Sequence, residues 1–309
     1  MIKKSAFKRI ALGTLSLLII GIIYSFPTKD KDKEDNISYI DSVKTPIFLV
    51  DKNNYVSRIQ VINQGATTEQ KVRNIISSLT IGNSNSIYIP SGFSAIIPEK
   101  TKILELNIKD SIIKINFSKE LLNIDADKAE KMIESIVYSL TEIKDINGVM
   151  IFVEGKRLLK LPNSTTILPL VLDRDIGINK TYDISSLKNV TKLTTYYVAK
   201  SEDIPYYIPV TSINNDIDDK IKIIIKNLKS SPIDQTNLSS FLAAEATLSN
   251  YEILENSINL SFNNNLIANM NDKEILEEVR YSIFLSLKDS YSIKSVIFET
   301  PNAPISIVN

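Results

Sequence analysis

The order of apolar and polar positions in residues 47–154 recurs, in weaker form, in residues 195–298. The clearest match joins NIKDSIIKINF at residues 107–117 to EILENSINLSF at residues 252–262, at an offset of 145 positions. In each segment apolar residues alternate with polar ones on both sides of a short turn, Asp110-Ser111 or Glu255-Asn256. This alternation predicts a half-buried antiparallel hairpin. The chain is therefore predicted to contain two copies of one structural unit.

Helices recur in the same order as the hairpins. Spacings of three and four residues predict one buried stripe on a helix in each copy, formed by Val72, Ile75, Ile76 and Leu79, and by Ile221, Ile224, Ile225 and Leu228. Thr67 and Gln70 have the spacing of a capping box at the start of the first of these helices. A second helix of copy one is predicted from the apolar positions Ala129, Met132, Ile133, Ile136, Val137 and Leu140.

With the strands before and after, each copy reads strand, strand, helix, hairpin, helix, strand. This order predicts an α+β fold of two tandem repeats, each a small antiparallel sheet with two helices on one face. We expect domains at residues 45–157 and 195–309, each long enough for one hydrophobic core. Residues 158–194 form an inter-domain segment whose stretch ILPLVLDRDIGIN is too apolar for a free linker, so we expect it to pack along the first domain.

A membrane anchor is predicted at residues 1–26. Four basic residues among the first nine precede the uncharged run IALGTLSLLIIGIIYSF at residues 10–26, which has the length of a short transmembrane helix. Basic flanks stay in the cytoplasm, so the rest of the chain is expected outside the membrane. A cleaved signal peptide is the competing interpretation, and the absence of cysteine excludes a lipoprotein. Residues 27–44 are expected to form a flexible stalk, with a partly ordered leader strand as the alternative.

The composition excludes several classes of function. The chain contains no histidine and no cysteine, so catalytic triads, Cys-His dyads, imidazole or thiolate zinc sites and haem ligation are excluded. Its eight glycines are not clustered, so it has no glycine-rich phosphate loop. Without the four basic residues of the first nine, 32 Lys and Arg face 36 Asp and Glu, which gives no electrostatic reason to bind nucleic acid.

Three kinds of enzyme site survive these exclusions, and each is disfavoured. A Ser-Lys dyad at Ser118-Lys119 has Asn263 and Asn264 as counterparts in copy two, which could not do that chemistry. Paired carboxylates are offered by Glu99, Glu105, Asp110 and Glu120, which fit loop and turn positions better. Asp125 and Asp127 have part of the spacing of a calcium loop, but a helix start explains them better. We therefore expect no enzyme and no catalytic, cofactor-binding or metal-binding residue.

Two tyrosine pairs, Tyr196-Tyr197 and Tyr206-Tyr207, are candidates for a ligand platform. Pairs of this kind more often place one ring in the core and the other on a sheet face.

Residues 79–121, LTIGNSNSIYIPSGFSAIIPEKTKILELNIKDSIIKINFSKEL, resemble the GerMN domain of sporulation and spore germination proteins. The shared features are an Ile-Pro-Glu-x-Thr-Lys loop at residues 97–102, the hairpin, and a Phe-Ser-Lys-Glu turn at residues 117–120. Residues 136–157 are similar to the following helix and strand, and LDRDIGIN at 172–179 resembles the segment between tandem domains. Copy two departs from the pattern, with FLAAEATLSN in place of the loop and Asn263-Asn264-Asn265 in place of Ser-Lys-Glu.

The resemblance implies a fold like the ring-building motif and a non-enzymatic part in endospore formation or germination, beside the transenvelope complex between mother cell and forespore. It implies partners among other sporulation envelope proteins and is compatible with a homo-oligomer. The expected location is the cell membrane, single-pass, with both domains outside the cytoplasm or between the two membranes. A peptidoglycan-binding module is the alternative function, and a carboxylate-based hydrolase is less favoured.

Overall fold

The first repeat begins with two paired strands and a capped helix, as its apolar periodicity predicts. The computed structural model describes residues 44–63, 65–83, 89–202, 204–230, 238–266, 275–301 and 303–309. The predicted anchor and all but the last residue of the predicted stalk lie outside these ranges. No helix among the described residues is long and apolar enough to span a bilayer.

The elements of the first repeat are β1 (Lys44–Asp51), β2 (Val56–Ile62), α1 (Thr68–Leu79), β3 (Phe93–Ser94), β4 (Ile103–Lys109), β5 (Ile112–Phe117), a 3-10 turn (Lys119–Leu122), α2 (Ala126–Leu140), β6 (Gly148–Val153) and β7 (Lys156–Arg157). The predicted capping box is present, because Thr67 and Gln70 exchange side-chain and backbone bonds at the start of α1. Asp110 and Ser111 have φ angles of 53° and 61°, as a two-residue turn between right-twisted strands requires.

The segment between the repeats and the second repeat follow in the same order. They comprise a 3-10 turn (Arg174–Ile176), β8 (Thr181–Asp183), β9 (Thr191–Ser201), β10 (Ile204–Asn214), α3 (Lys220–Lys229), β11 (Leu248–Ile253), β12 (Ser257–Phe262), a 3-10 turn (Asn264–Leu266), α4 (Glu277–Ser290), β13 (Ser295–Thr300) and β14 (Ala303–Val308). The residues predicted to form the helix stripes of α1, α2 and α3 are all buried.

The strands form three sheets, not one sheet for each repeat. A shared sheet has the order β3-β1-β2-β10-β8, with β9 paired to β10, so it takes strands from both repeats and from the segment between them. Two four-stranded sheets, β4-β5-β6-β7 and β11-β12-β13-β14, hold the hairpins and closing strands. The prediction of an α+β fold is confirmed, and the prediction of one antiparallel sheet in each repeat is wrong. Alternation along a strand defines its buried face, but it does not identify the neighbouring strand.

The closing strands also differ from the expected antiparallel arrangement. β6 runs parallel to β5, and β13 runs parallel to β12. In each repeat a helix, α2 or α4, connects the two parallel strands, as a parallel connection requires. Residues 43–309 form one compact unit. The domain bounds at residues 157 and 195 stay a prediction.

The two repeats pack helix against strand in the same way. The buried hydroxyl of Ser139 in α2 accepts a hydrogen bond from the Phe48 N–H in β1, at 2.8 Å. The buried hydroxyl of Ser286 in α4 accepts one from the Tyr196 N–H in β9, also at 2.8 Å. A buried strand amide without a partner would cost free energy, so each helix supplies an acceptor at the equivalent place.

β2 and β10 meet at one residue pair and then separate. Their single pair is Arg58 with Tyr207. The Pro209 carbonyl faces β2, because Asn179 Nδ2 donates to both this carbonyl and the Val56 carbonyl, at 2.8 Å each. Alternate residues of a strand share the direction of their backbone groups, so Pro205 faces β2 as well and has no N–H to donate. The sheet therefore opens between the two repeats beyond the single pair.

Candidate functional site

Ser118, a candidate for the Ser-Lys dyad, has a structural role. Its hydroxyl accepts a hydrogen bond from the Lys102 N–H at 3.0 Å, and its own N–H donates to the Lys102 carbonyl at 2.9 Å. Asn263 in the second repeat makes the same reciprocal contact, since Oδ1 accepts from the Thr247 N–H at 3.0 Å and its N–H donates to the Thr247 carbonyl at 3.0 Å. Asn263 thus replaces Ser118 with the same bonding pattern, which the sequence comparison alone did not reveal.

The candidate carboxylates also lie at positions with structural explanations. Glu99, Glu105 and Asp110 are exposed, and Asp110 forms the hairpin turn. A hydrogen bond from the Ser118 side chain holds the pKa of Glu120 below its ordinary value. Asp125 is the residue before α2 and pairs with Lys128 at 2.8 Å. Among the described residues, no group of three or more acidic side chains could hold a metal ion.

The two tyrosine pairs are mostly buried. Tyr196, Tyr197 and Tyr206 belong to the core, and burial raises the pKa of the Tyr197 phenol to about 12. The Tyr206 hydroxyl donates to the buried carboxylate of Asp51 at 2.8 Å. Tyr207 is half-buried, and it lines a cleft together with the neighbouring Tyr206.

Arg174 joins the two repeats through a cluster of ion pairs and hydrogen bonds that we name the Arg174 cluster. Its Nη1 donates to Asp289 Oδ1 at 2.5 Å, and its Nη2 donates to Glu142 Oε1 at 2.7 Å. The guanidinium carbon lies 4.9 Å from the centre of the Tyr138 ring, within cation–π distance. Only 23% of the Arg174 side chain is exposed, and the side chains of Glu142 and Asp289 are 5% and 4% exposed.

The carboxylates of the Arg174 cluster occupy equivalent places in the two repeats. Glu142 follows α2 and Asp289 lies at the end of α4, at the offset of 147 that also relates the sequences of these helices. Burial alone would raise the pKa of Glu142, but the charges of Arg174, Arg58 and Lys288 outweigh it and lower this pKa to about 2. Arg174 therefore bridges equivalent carboxylates of the two repeats.

Sequence reasoning did not single out Arg174. The available signal was Arg174, between Asp173 and Asp175 in the mostly apolar segment ILPLVLDRDIGIN, since a buried arginine needs partners. The same segment packs on both repeats. Leu172 exchanges backbone hydrogen bonds with Val149 of the first repeat, and β8 pairs with β10 of the second.

A cleft of about 400 Å³ lies where β2 and β10 separate, and we name it the inter-repeat cleft. Residues of β2, of the loop at 90–93, of β10 and of α4 line it. The Tyr207 and Tyr281 rings lie 6.2 Å apart at its wall. Arg58 also lines it, with its Nε 3.6 Å from Glu142 and without a hydrogen bond. Burial and the nearby Glu277 and Glu278 raise the pKa of Tyr207, so its phenol is neutral and can donate a hydrogen bond.

The cleft combines aromatic faces with hydrogen-bonding groups from both repeats. This combination can hold a flat or ring-shaped polar ligand by stacking and hydrogen bonds.

The chain is similar to known sporulation proteins over most of its length. Residues 44–159 match the domain family described as "Germane: Sporulation and spore germination". The chain is 29% identical over 287 residues to the spore germination protein GerM of Bacillus subtilis (strain 168), covering 91% of this chain and 76% of that protein. The solved structure of the tandem GerMN domains of the sporulation protein GerM from Bacillus subtilis matches with a TM-score of 0.76 at 28% identity, over 84% of this chain and 92% of that chain. Residues 44–159 therefore form a domain of the Germane family of sporulation and spore germination, and the chain as a whole is similar to GerM and to its tandem GerMN domains.

Proposed function

We propose that the chain is a non-enzymatic, membrane-anchored assembly protein that acts outside the membrane during spore formation or germination. The Germane-family match of residues 44–159 and the similarity to GerM support a role in one of these two processes. The observation behind the assembly role is that polar side chains, which an enzyme would need for catalysis, serve structural contacts instead. Ser118, Asp51, Glu142 and Arg174 are all engaged in bonds that hold strands, turns and repeats together.

Free sheet edges supply the docking surfaces for this role. Among the described residues, β4, β11 and β14 each pair with a neighbour on one side only. Exposed apolar side chains lie on these strands, namely Leu104, Ile253, Ile305 and Ile307. Edge strands with unpaired backbone groups are templates for pairing with another chain.

Deletion of the gene in its spore-forming host tests the role in the cell. We expect a large loss of heat-resistant spores, or of spores that germinate, with normal vegetative growth. The full chain should restore the count. A variant that lacks residues 1–26 should fail, because it would lose the predicted anchor. Normal numbers of resistant, germinating spores in the deletion strain would refute the role.

Single carboxylate substitutions separate assembly from hydrolysis. If the chain is not an enzyme, Glu99→Gln and Glu120→Gln should each restore spore counts as well as the unchanged chain does. Loss of spores with either variant, at unchanged protein level, would revive a carboxylate-based hydrolase.

Peptidoglycan binding is the second candidate, and the inter-repeat cleft favours it. Tyr207 and Tyr281 present rings on which a sugar could stack, and Arg58 and Gln60 lie beside them. If the cleft binds glycan, Tyr281→Ala should reduce co-sedimentation of the full chain with purified peptidoglycan. Tyr182→Ala, at an exposed tyrosine remote from the cleft lining, serves as the control. Equal sedimentation of both variants and the unchanged chain would reject this candidate.

A further inference from the structure

A groove of about 510 Å³ runs between α3 and β11 in the second repeat. We name it the helix–strand groove. The side of α3 contributes Lys222, Ile225, Lys226 and Lys229, and the strand contributes the four consecutive residues 248–251. Consecutive residues of a strand point to opposite faces, so a groove that touches four in a row follows the edge of the strand.

The edge of β11 has unpaired backbone groups facing the groove side. Among the described residues, β11 pairs with β12 alone. The Leu254 N–H donates to the Ser257 carbonyl at 2.8 Å, so residue 254 faces β12. Because this direction alternates along the strand, the backbone groups of Tyr251 and Ile253 point away from β12. No partner for them lies among the described residues, so they can pair with an added strand.

Positive charge lies along the helix side of the groove. Lys222, Lys226 and Lys229 have the spacing of one helix face. Lys222 pairs with Asp219 at 3.2 Å and Lys226 with Asp216 at 2.7 Å. The lysine side chains of these pairs are 61% and 67% exposed, so the pairs are weak and an acidic ligand can compete for the lysines.

The first repeat lacks this charge pattern. At the offset of 149 that aligns α1 with α3, the three lysines correspond to Arg73, Ser77 and Thr80. Only Arg73 among these three is basic, and it forms an exposed pair with Glu69 at 2.8 Å, while the Thr80 hydroxyl donates to the Ile76 carbonyl at 2.7 Å. The basic groove is therefore a property of the second repeat, whose sequence departs most from the family pattern.

We propose that the helix–strand groove binds an extended acidic segment of a partner protein, which adds to β11 as an outer strand. Backbone bonds to the edge of β11 supply the pairing, Ile225 and Leu248 supply apolar contact, and the three lysines select for acidic side chains. This inference gives the proposed assembly role a partner chemistry and so rests on it.

Fluorescence anisotropy with the full chain tests the proposal. The probe is a labelled short peptide in which glutamate and valine alternate, about as long as the six residues of β11. Lys222→Glu/Lys226→Glu/Lys229→Glu should weaken binding roughly tenfold or more, and salt should weaken binding to the unchanged chain. The matched control reverses three exposed lysines of the first repeat, Lys109, Lys114 and Lys156, and should leave affinity unchanged.

A pair of substitutions at Tyr251 tests strand addition separately from charge. Tyr251→Ala removes the side chain but keeps the outward N–H, whereas Tyr251→Pro removes both. Binding should be lost with Tyr251→Pro and only weakened with Tyr251→Ala, at matched circular dichroism spectra. Equal affinity of these two variants, together with equal binding of the unchanged chain to phosphatidylglycerol vesicles, would overturn the proposal in favour of a general anionic surface site.

Spore counts distinguish this inference from the proposed function. If the probe does not bind but the deletion strain loses spores, the peptide groove is wrong and the assembly role stands. If the probe binds but the deletion strain makes normal, germinating spores, the groove stands as a binding site and the role in sporulation is wrong.

Discussion

Removing the charge of Arg174 should be among the most damaging single changes to stability. Arg174→Met keeps much of the side-chain volume but leaves Glu142 and Asp289 without their main partner, and both carboxylate side chains are about 95% buried. Removing one partner of a buried ion pair costs about 3–5 kcal/mol. Arg58 at 3.6 Å and Lys288 at 3.9 Å still compensate Glu142, so we expect the lower end, about 3 kcal/mol.

The pKa of Glu142 gives a second route to this magnitude. A pKa lowered from 4.5 to about 2 corresponds to roughly 3 kcal/mol of preference for the ionised carboxylate in the fold, at about 1.4 kcal/mol for each pH unit. Because the folded pKa is the lower one, this stabilisation is present above pH 4.5 and is lost as pH falls toward about 2. The difference between the unchanged chain and Arg174→Met should therefore shrink by roughly 2 kcal/mol between pH 7 and pH 3.

Urea unfolding at pH 7 and pH 3, followed by circular dichroism, measures both effects. Arg174→Met/Glu142→Gln/Asp289→Asn serves as the matched control, because removing all three charges should recover most of the lost stability. A loss below about 1 kcal/mol at pH 7 for Arg174→Met, or an equal loss at both pH values, would refute the reasoning.

Substitutions at three further positions test the contacts that the repeats share, by the same urea assay. Ser118→Ala should cost about 1 kcal/mol by leaving the Lys102 N–H without its acceptor. Ser118→Asn should cost less, since Asn263 makes the same bonds in the second repeat. Equal losses for the two variants would contradict the structural equivalence of Ser118 and Asn263. Ser286→Ala should cost about 1–3 kcal/mol, because the Tyr196 amide loses its acceptor in the core; an unchanged midpoint would mean that another group accepts this bond. Asn179→Ala should cost roughly 2 kcal/mol or more, since it removes bonds to both repeats, and a loss below that of Ser118→Ala would contradict the role of Asn179 between the strands.

Local structure was predictable where one physical preference dominated. The stripes of α1, α2 and α3 and the turn at Asp110-Ser111 follow from periodicity and from residues suited to capping and turning. These signals are local, because a helix face or a hairpin turn is set by residues a few positions apart. The resemblance to the GerMN family likewise rested on short segments, and the family and structural matches confirm it.

The candidate sites were less predictable, because they depend on contacts between distant residues. Ser118 and Asn263 look unlike in sequence but make the same reciprocal bonds. Tyr206 and Tyr207 look alike in sequence and both line the inter-repeat cleft, but Tyr206 donates to the buried Asp51 whereas the Tyr207 ring lies against Tyr281. In both cases the role is set by which backbone or carboxylate lies opposite, and periodicity carries no information about that.

The amino-acid sequence alone established the duplication, the order of helices and hairpins and the absence of histidine and cysteine chemistry. Each of these is read from residue identity and spacing along one chain. The folded structure was needed to show that β2 and β10 join the repeats in one sheet, and that Arg174 bridges Glu142 and Asp289. A strand edge or a buried charge could pair with many groups of similar local chemistry. Which of them becomes its partner is set by the close packing of the whole chain.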